Sequence, residues 1–141
     1  MKKLVLSLCV LLTPFSMLFA DGHVSIAAKD AAVYFIQPID GQTLSAPVTV
    51  RFGLSGMGVA PAGVKKQNTG HHHLLINLEQ LPDLSKPLPA NEHVRHFGGG
   101  QTEVVLDLPK GEHRLQLLLG DHHHIPHQQA VMSEVITITV R

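Results

Sequence analysis

The sequence predicts an all-β fold, an immunoglobulin-like antiparallel β-sandwich, and three observations lead to this class. Short segments alternate apolar and polar residues, as half-buried strands do. Glycine, proline and aspartate separate these segments at the intervals expected for hairpins and corners. No window of 11 or more residues after position 20 has a convincing helical period, and residues 27–33 could form one helical turn at most. Six or seven such strands are typical of a two-sheet sandwich.

Six segments carry the strand pattern. Val50 and Phe52 share one face of the second segment, and Leu117 and Leu119 share one face of the fifth. The predicted strands are 33–37, 48–54, 72–78, 102–108, 113–119 and 133–140, with a weaker strand within 83–97. The residues expected in the core are Val50, Phe52, Leu74, Ile76, Leu106, Leu117 and Ile138.

Residues 1–20 are expected to be a signal peptide, followed by a linker over 21–32 and the sandwich domain over 33–141. Lys2 and Lys3 precede an apolar run of 16 residues, which is shorter than the roughly 20 that a membrane-spanning helix needs. Ala20 suits the cleavage site. We therefore expect a periplasmic or secreted protein whose mature form has no membrane span. Because the one cysteine, Cys9, lies within the signal peptide, no disulfide is expected.

The charge balance argues against a nucleic-acid partner. Lysine and arginine number 11 and aspartate and glutamate also number 11, so no excess of cations is present to neutralise phosphates. There is no tryptophan and a single tyrosine, so few side chains could stack on bases. The sequence identifies no protein partner.

Histidine is abnormally frequent, with 11 residues, and nine of these fall in three clusters. In an immunoglobulin-like sandwich, the loops that hold the clusters lie at one pole, so the nine imidazoles are expected there. His71 or His73, His93 or His96, and His122 or His124 should then lie within reach of one point. Imidazole nitrogen binds copper and zinc, and three ligands nearly complete a tetrahedral site. The candidate ligands are His71, His72, His73, His93, His96, His122, His123, His124 and His127.

The first cluster is expected at the start of a strand, where alternation separates its members. His72 has the parity of Leu74 and is expected to face the core, whereas His71 and His73 face the other way. Met57 and Met132 are expected near the same pole, where thioethers would favour Cu(I).

A second candidate metal site depends on cleavage after Ala20. The mature chain would then begin Asp21-Gly22-His23. The free amine, two backbone amides and the imidazole of His23 could surround Cu(II) or Ni(II) in a square plane.

Two segments resemble a known family. Gly70-His71-His72-His73-Leu74-Leu75-Ile76 and Leu108-Pro109-Lys110-Gly111-Glu112-His113 are similar to a family of secreted bacterial domains of unknown function, over about residues 33–141. This resemblance implies secretion and a β fold. A looser likeness to periplasmic copper chaperones, which are β-sandwiches with His and Met ligands, implies copper binding. In this sequence the three consecutive histidines, residues 71–73, are followed by Leu74 and Leu75 instead of methionines.

The sequence favours a non-enzymatic metal-binding domain that handles copper or zinc. The alternative is a structural or protein-interaction sandwich whose histidines only adjust surface charge. A third hypothesis, a metal-dependent enzyme, needs a general base beside the ion. Asp121 and Glu92 are the carboxylates near the clusters, and no motif orients them. We therefore expect no enzymatic activity.

Overall fold

The computed structural model describes residues 25–141. The predicted signal peptide and the Asp21-Gly22-His23 motif lie outside the described residues. Within 25–141, no helix is long and apolar enough to cross a bilayer. The strands of the described residues are β1 (Ala32–Gln37), β2 (Thr43–Leu44), β3 (Val48–Ser55), β4 (Gly58–Val59), β5 (Thr69–Ile76), β6 (Val94–His96), β7 (Glu103–Leu106), β8 (Gly111–Gly120) and β9 (Ile136–Val140).

The strands form two sheets that confirm the predicted sandwich. One sheet has the order β1-β3-β7, and the other has the order β2-β9-β8-β5-β4, with β6 also paired to β5. The first, second and fourth predicted strands therefore share one sheet, and the other three share the second sheet. The strands of the immunoglobulin fold are divided between its two sheets in the same way. The long pairings are antiparallel, whereas β2 with β9 and β4 with β5 are short parallel pairs.

The core lies between the two sheets, where the inward side chains of both meet. Val50 and Phe52 from the first sheet pack in one cluster with Leu74 and Leu117 from the second. All seven residues predicted for the core are buried. The alternation in the sequence therefore assigned these seven residues to the inner faces correctly.

The outer face of the second sheet is also covered. Leu75 of β5 and Leu118 of β8 form a second apolar cluster with Leu88 and Val94. Leu88 belongs to the connection between β5 and β6, and its N–H donates to the carbonyl of His124 at 2.9 Å. Chain segments thus lie over this outer face, which allows polar side chains on it to be buried.

Strand β5 begins three residues earlier than the sequence predicts, at Thr69. Its first residues pair with β4, and the N–H of Gly58 donates to the Asn68 carbonyl at 2.9 Å. The strand ends at Ile76 because Asn77 adopts a positive φ of 55°. The histidine triplet therefore lies within the strand rather than at its start. Strands β2 and β4 have two residues each, which is too short for an alternating pattern to reveal them.

Truncating a core leucine tests the packing. Leu117 is 0% exposed between the sheets, so Leu117→Ala should lower the free energy of unfolding by about 2–5 kcal/mol. Leu81 is 47% exposed, so the matched variant Leu81→Ala should change it by less than about 0.5 kcal/mol. Urea unfolding followed by circular dichroism measures both values. Equal effects of the two variants would contradict this assignment of the core.

Candidate metal centre

The alternation of β5 separates the three consecutive histidines, as the sequence predicts. His72 faces the core, where its ring centroid lies 4.8 Å from that of Phe52. Its Nε2 donates to the Gly53 carbonyl at 3.3 Å. His71 and His73 lie on the outer face, and their ring centroids are 4.7 Å apart. All three side chains are fully buried. One strand therefore presents two buried imidazoles on the same face.

His124 reaches this face from the turn that follows β8. The Asp121 carboxylate holds the turn, because its Oδ1 accepts the N–H of His123 at 2.8 Å and that of Ile125 at 3.1 Å. The N–H of His124 donates to the Asp121 carbonyl at 2.9 Å, and His124 has a positive φ of 63°. This conformation brings the His124 ring over the outer face of β5.

Three ring nitrogens converge at this point. Nδ1 of His124 lies 2.9 Å from Nε2 of His71 and 3.4 Å from Nε2 of His73. One ligand atom from each of the three residues lies within 4.8 Å of the others. Nitrogens bound to one tetrahedral zinc ion, at 2.0–2.1 Å from it, are about 3.3 Å apart. The observed spacing therefore fits a single metal ion.

Gly120 makes room for the His73 ring. It lies opposite His71 in the pairing of β5 with β8. A Cβ at this position would lie 2.5 Å from Cε1 and 3.1 Å from Nδ1 of His73. The His73 ring thus lies against the backbone of β8 at Gly120, and any side chain at this position would displace it.

Burial keeps the clustered imidazoles neutral. Desolvation, followed by the neighbouring His124 and His96, lowers the pKa of His71 from 6.5 to about 4. Desolvation and the same neighbours, together with His71, lower the pKa of His73 to about 2. The pKa of His124 is also lowered, mainly by burial, and the Asp121 carboxylate opposes part of this effect. At neutral pH the three rings hold lone pairs that a metal ion can bind.

The cluster leaves polar atoms without partners. Among the described residues, the Nδ1 atoms of His71, His72 and His73 are buried and make no hydrogen bond. The Leu118 carbonyl favours the protonated form of His73, but Nδ1 of that ring forms no hydrogen bond in this geometry. Each unsatisfied buried group costs about 1–3 kcal/mol. The atoms of His71 and His73 lie on the face of the convergent rings, whereas that of His72 lies on the core face, and unsatisfied burial of this kind is common at functional sites.

The second histidine cluster is divided. We call His71, His73 and His124 the convergent group. The His96 ring lies beside it, with its centroid 4.4 Å from that of His73 and 4.6 Å from that of His124. The exposed His93 instead donates from Nδ1 to the Ile76 carbonyl at 2.9 Å. The structure therefore brings His96 to the candidate site and leaves His93 outside it.

The remaining candidates lie outside the convergent group. His122 and His123 contact each other, with ring centroids 4.1 Å apart. His127 is buried, and its Nδ1 lies 3.1 Å from the Ser25 hydroxyl. His23 lies outside the described residues. The two methionines, Met57 and Met132, pack against the apolar clusters.

Sequence reasoning missed the structural roles of Gly120 and Asp121. Aspartate at the start of a turn commonly accepts hydrogen bonds from the following backbone N–H groups, so Asp121 before the third cluster was a usable signal. The sequence pattern around Gly120 gave no comparable signal, because its role depends on the register between β5 and β8.

A family model described as Domain of unknown function (DUF4399) matches residues 50–141. The chain belongs to this family. The prediction of a family of domains of unknown function is thereby confirmed, and the matched residues hold most of β3 and all of β4–β9, with His71, His73, His96 and His124. A comparison with curated proteins finds no significant match. No comparison bears on the likeness to copper chaperones.

This chain is similar to one solved structure, that of the endo-beta-1,4-mannanase from Thermotoga petrophila. The likeness has 20% identity and a TM-score of 0.48, and covers 80% of this chain and 20% of that chain. The chain thus spans about a fifth of that protein's length, and the likeness assigns no activity to it.

The lowered pKa values predict a loss of stability in acid. A histidine in the unfolded chain has a pKa of about 6.5, whereas that of folded His71 is about 4. Between these values the unfolded chain binds more protons, so the free energy of unfolding should fall as the pH is lowered from about 6.5 to about 4. His73 should extend the loss to lower pH. Urea unfolding of the metal-free protein at several pH values measures the slope.

A pair of double variants assigns this slope to the buried rings. His71→Leu/His73→Leu should make the dependence less steep, because it removes two of the groups that the unfolded chain protonates more readily than the folded chain. His93→Leu/His123→Leu replaces two exposed imidazoles and should retain the wild-type dependence. A wild-type protein whose stability stays level between pH 6.5 and 4.5 would contradict the assigned pKa values.

Proposed function

We propose that this protein is a non-enzymatic, periplasmic or secreted domain that binds a copper or zinc ion through His71, His73 and His124. The observation that carries the proposal is the convergence of one nitrogen from each ring within 4.8 Å. The expected ligand atoms are Nε2 of His71, Nε2 of His73 and Nδ1 of His124, since these lie closest together.

The chemistry of the donor set supports copper or zinc. Neutral imidazole is a good ligand for both ions, whereas magnesium and calcium prefer oxygen ligands. A ligating histidine must be deprotonated, and burial holds the pKa of His71 and His73 far below neutral pH. Folding therefore removes most of the competition from protons before an ion arrives.

The surroundings support binding without catalysis. A metal-dependent hydrolase needs a base that can reach the metal-bound water. The Oδ1 of Asp121 already accepts two backbone N–H groups, which gives this carboxylate a structural role in the turn. Glu92 is exposed and lies 3.7 Å from His93, which is outside the convergent group.

Removing His124 tests the site with little disturbance of the sheet. All proteins carry His23→Ala, which eliminates the Asp21-Gly22-His23 motif. His124→Ala should weaken zinc and copper binding by more than the roughly 10–100-fold loss typical of a group that only orients a ligand. His123→Ala, in the same turn but exposed, should bind like the parent. Competition with a chromophoric chelator at pH 7.5 measures the affinities, and equal binding by both variants would contradict the proposal.

Gly120 offers an independent test of the geometry. Gly120→Ala should displace the His73 ring and weaken metal binding at least about tenfold, because the ligand loses its position. Gly58→Ala is the control, since the nearest atom to its Cβ would be 3.6 Å away. Both variants are measured in the same chelator assay. Unchanged affinity in folded Gly120→Ala would show that His73 does not bind the ion.

One observation favours the alternative, an interaction module. The outer face of the first sheet exposes Tyr34, Ile36 and Val105, whose side chains are 47%, 55% and 57% exposed. Protein that binds neither copper nor zinc in the chelator assay would favour this alternative. Fractionation of cells that express the full chain tests the proposed export.

A further inference from the structure

His96 is a fourth imidazole at the proposed metal centre. It lies opposite His73 in the antiparallel pairing of β5 with β6, so both side chains project from the same face of the sheet. The His96 ring is 4.4 Å from the His73 ring and 4.6 Å from the His124 ring, measured between centroids. Two of the three proposed ligands are therefore its direct neighbours. Its nitrogens are not part of the group that lies within 4.8 Å, so ligation requires a shift of its ring toward the other three.

A backbone carbonyl fixes which nitrogen of His96 carries the proton. Nε2 of His96 lies 2.9 Å from the Pro89 carbonyl oxygen. Because a carbonyl can only accept, Nε2 is the donor and holds the hydrogen atom in the neutral ring. The lone pair is therefore on Nδ1. Metal-binding histidines commonly donate their other N–H to a backbone carbonyl in this way, which sets the tautomer and the ring orientation.

We propose that His96 is the fourth ligand of the ion, through Nδ1, and that it closes the coordination shell. This inference rests on the proposed function. Three imidazoles leave one position of a tetrahedral ion open to water, whereas non-catalytic zinc sites have four protein ligands. His96 and His124 are only partly buried, in contrast to His71 and His73, so these two rings form the solvent side of the centre.

The Co²⁺ form of the protein tests whether the fourth position is filled. Tetrahedral Co²⁺ absorbs visible light strongly, and its spectrum changes when an added ligand enters an open position. Protein with His23→Ala is loaded with Co²⁺ and titrated with free imidazole. We expect no spectral change, because His96 occupies the position. His96→Ala should bind Zn²⁺ at least about tenfold more weakly, and free imidazole should change the spectrum of its Co²⁺ form.

His93→Ala is the matched control, since His93 lies in the same segment and its Nδ1 also contacts a carbonyl, that of Ile76. It should behave like the parent in both measurements. X-ray absorption of the zinc-loaded parent gives a readout that needs no variant: four imidazoles are expected, and three would overturn the inference. If His96→Ala loses affinity but free imidazole does not change its Co²⁺ spectrum, the ring only supports the packing, and the inference also fails.

The two proposals fail in different ways. Weak binding by His124→Ala together with a parent spectrum that responds to free imidazole leaves a three-histidine site and overturns only the role of His96. Equal affinity of the parent, His124→Ala and His96→Ala overturns both proposals.

Discussion

The burial of three consecutive imidazoles in β5 determines the arrangement of the centre. Because side chains alternate along a strand, one ring faces the core and two face the opposite side of the sheet. His72 fits the core beside Phe52. His71 and His73 would be exposed on a bare sheet, yet both are fully buried. Covering them requires additional chain, and the turn after β8 and strand β6 provide it, each with a further histidine.

The sheet and its covering segments contribute in different ways. β5 pairs with β8 along most of its length, so the positions of His71 and His73 are fixed by the ladder itself. His124 comes from a turn and His96 from the end of the three-residue strand β6, and both rings need separate restraints. Asp121 supplies hydrogen bonds that close the turn of His124, and the Pro89 carbonyl orients His96. These restraints form when the chain folds, so an ion would bind a centre that is already ordered.

The sequence was sufficient for the fold and for part of the centre. The alternation in residues 48–54 and 113–119 predicted the strands and their inner faces, and the same rule separated His72 from its neighbours. The expected meeting of one ring from each cluster occurs, but of the nine histidines expected at one pole only His71, His73, His96 and His124 come together among the described residues, on the outer face of one sheet. The reason is that β5 extends back to Thr69, which moves the triplet into the sheet.

The sequence pattern around His93 and His96 does not show which of the two rings lies at the centre. Both follow the same irregular segment, and only the pairing of His73 with His96 decides which ring reaches the centre. The position of His124 depends likewise on its positive φ, which the hydrogen bonds of Asp121 enforce. Register and turn conformation are set by contacts between segments distant in sequence, and alternation within one segment does not contain them.

The electrostatics of the centre give Asp121 a second role. Imidazole ligands are neutral, so they leave the whole charge of a bound ion to be stabilised by its surroundings. Taking a charge out of water is costly, and a nearby opposite charge offsets part of that cost. The Asp121 carboxylate raises the pKa of both His71 and His124, against the larger lowering by burial, so its charge favours a positive charge at these rings. The same carboxylate that shapes the turn therefore also favours a cation at the point where the rings meet.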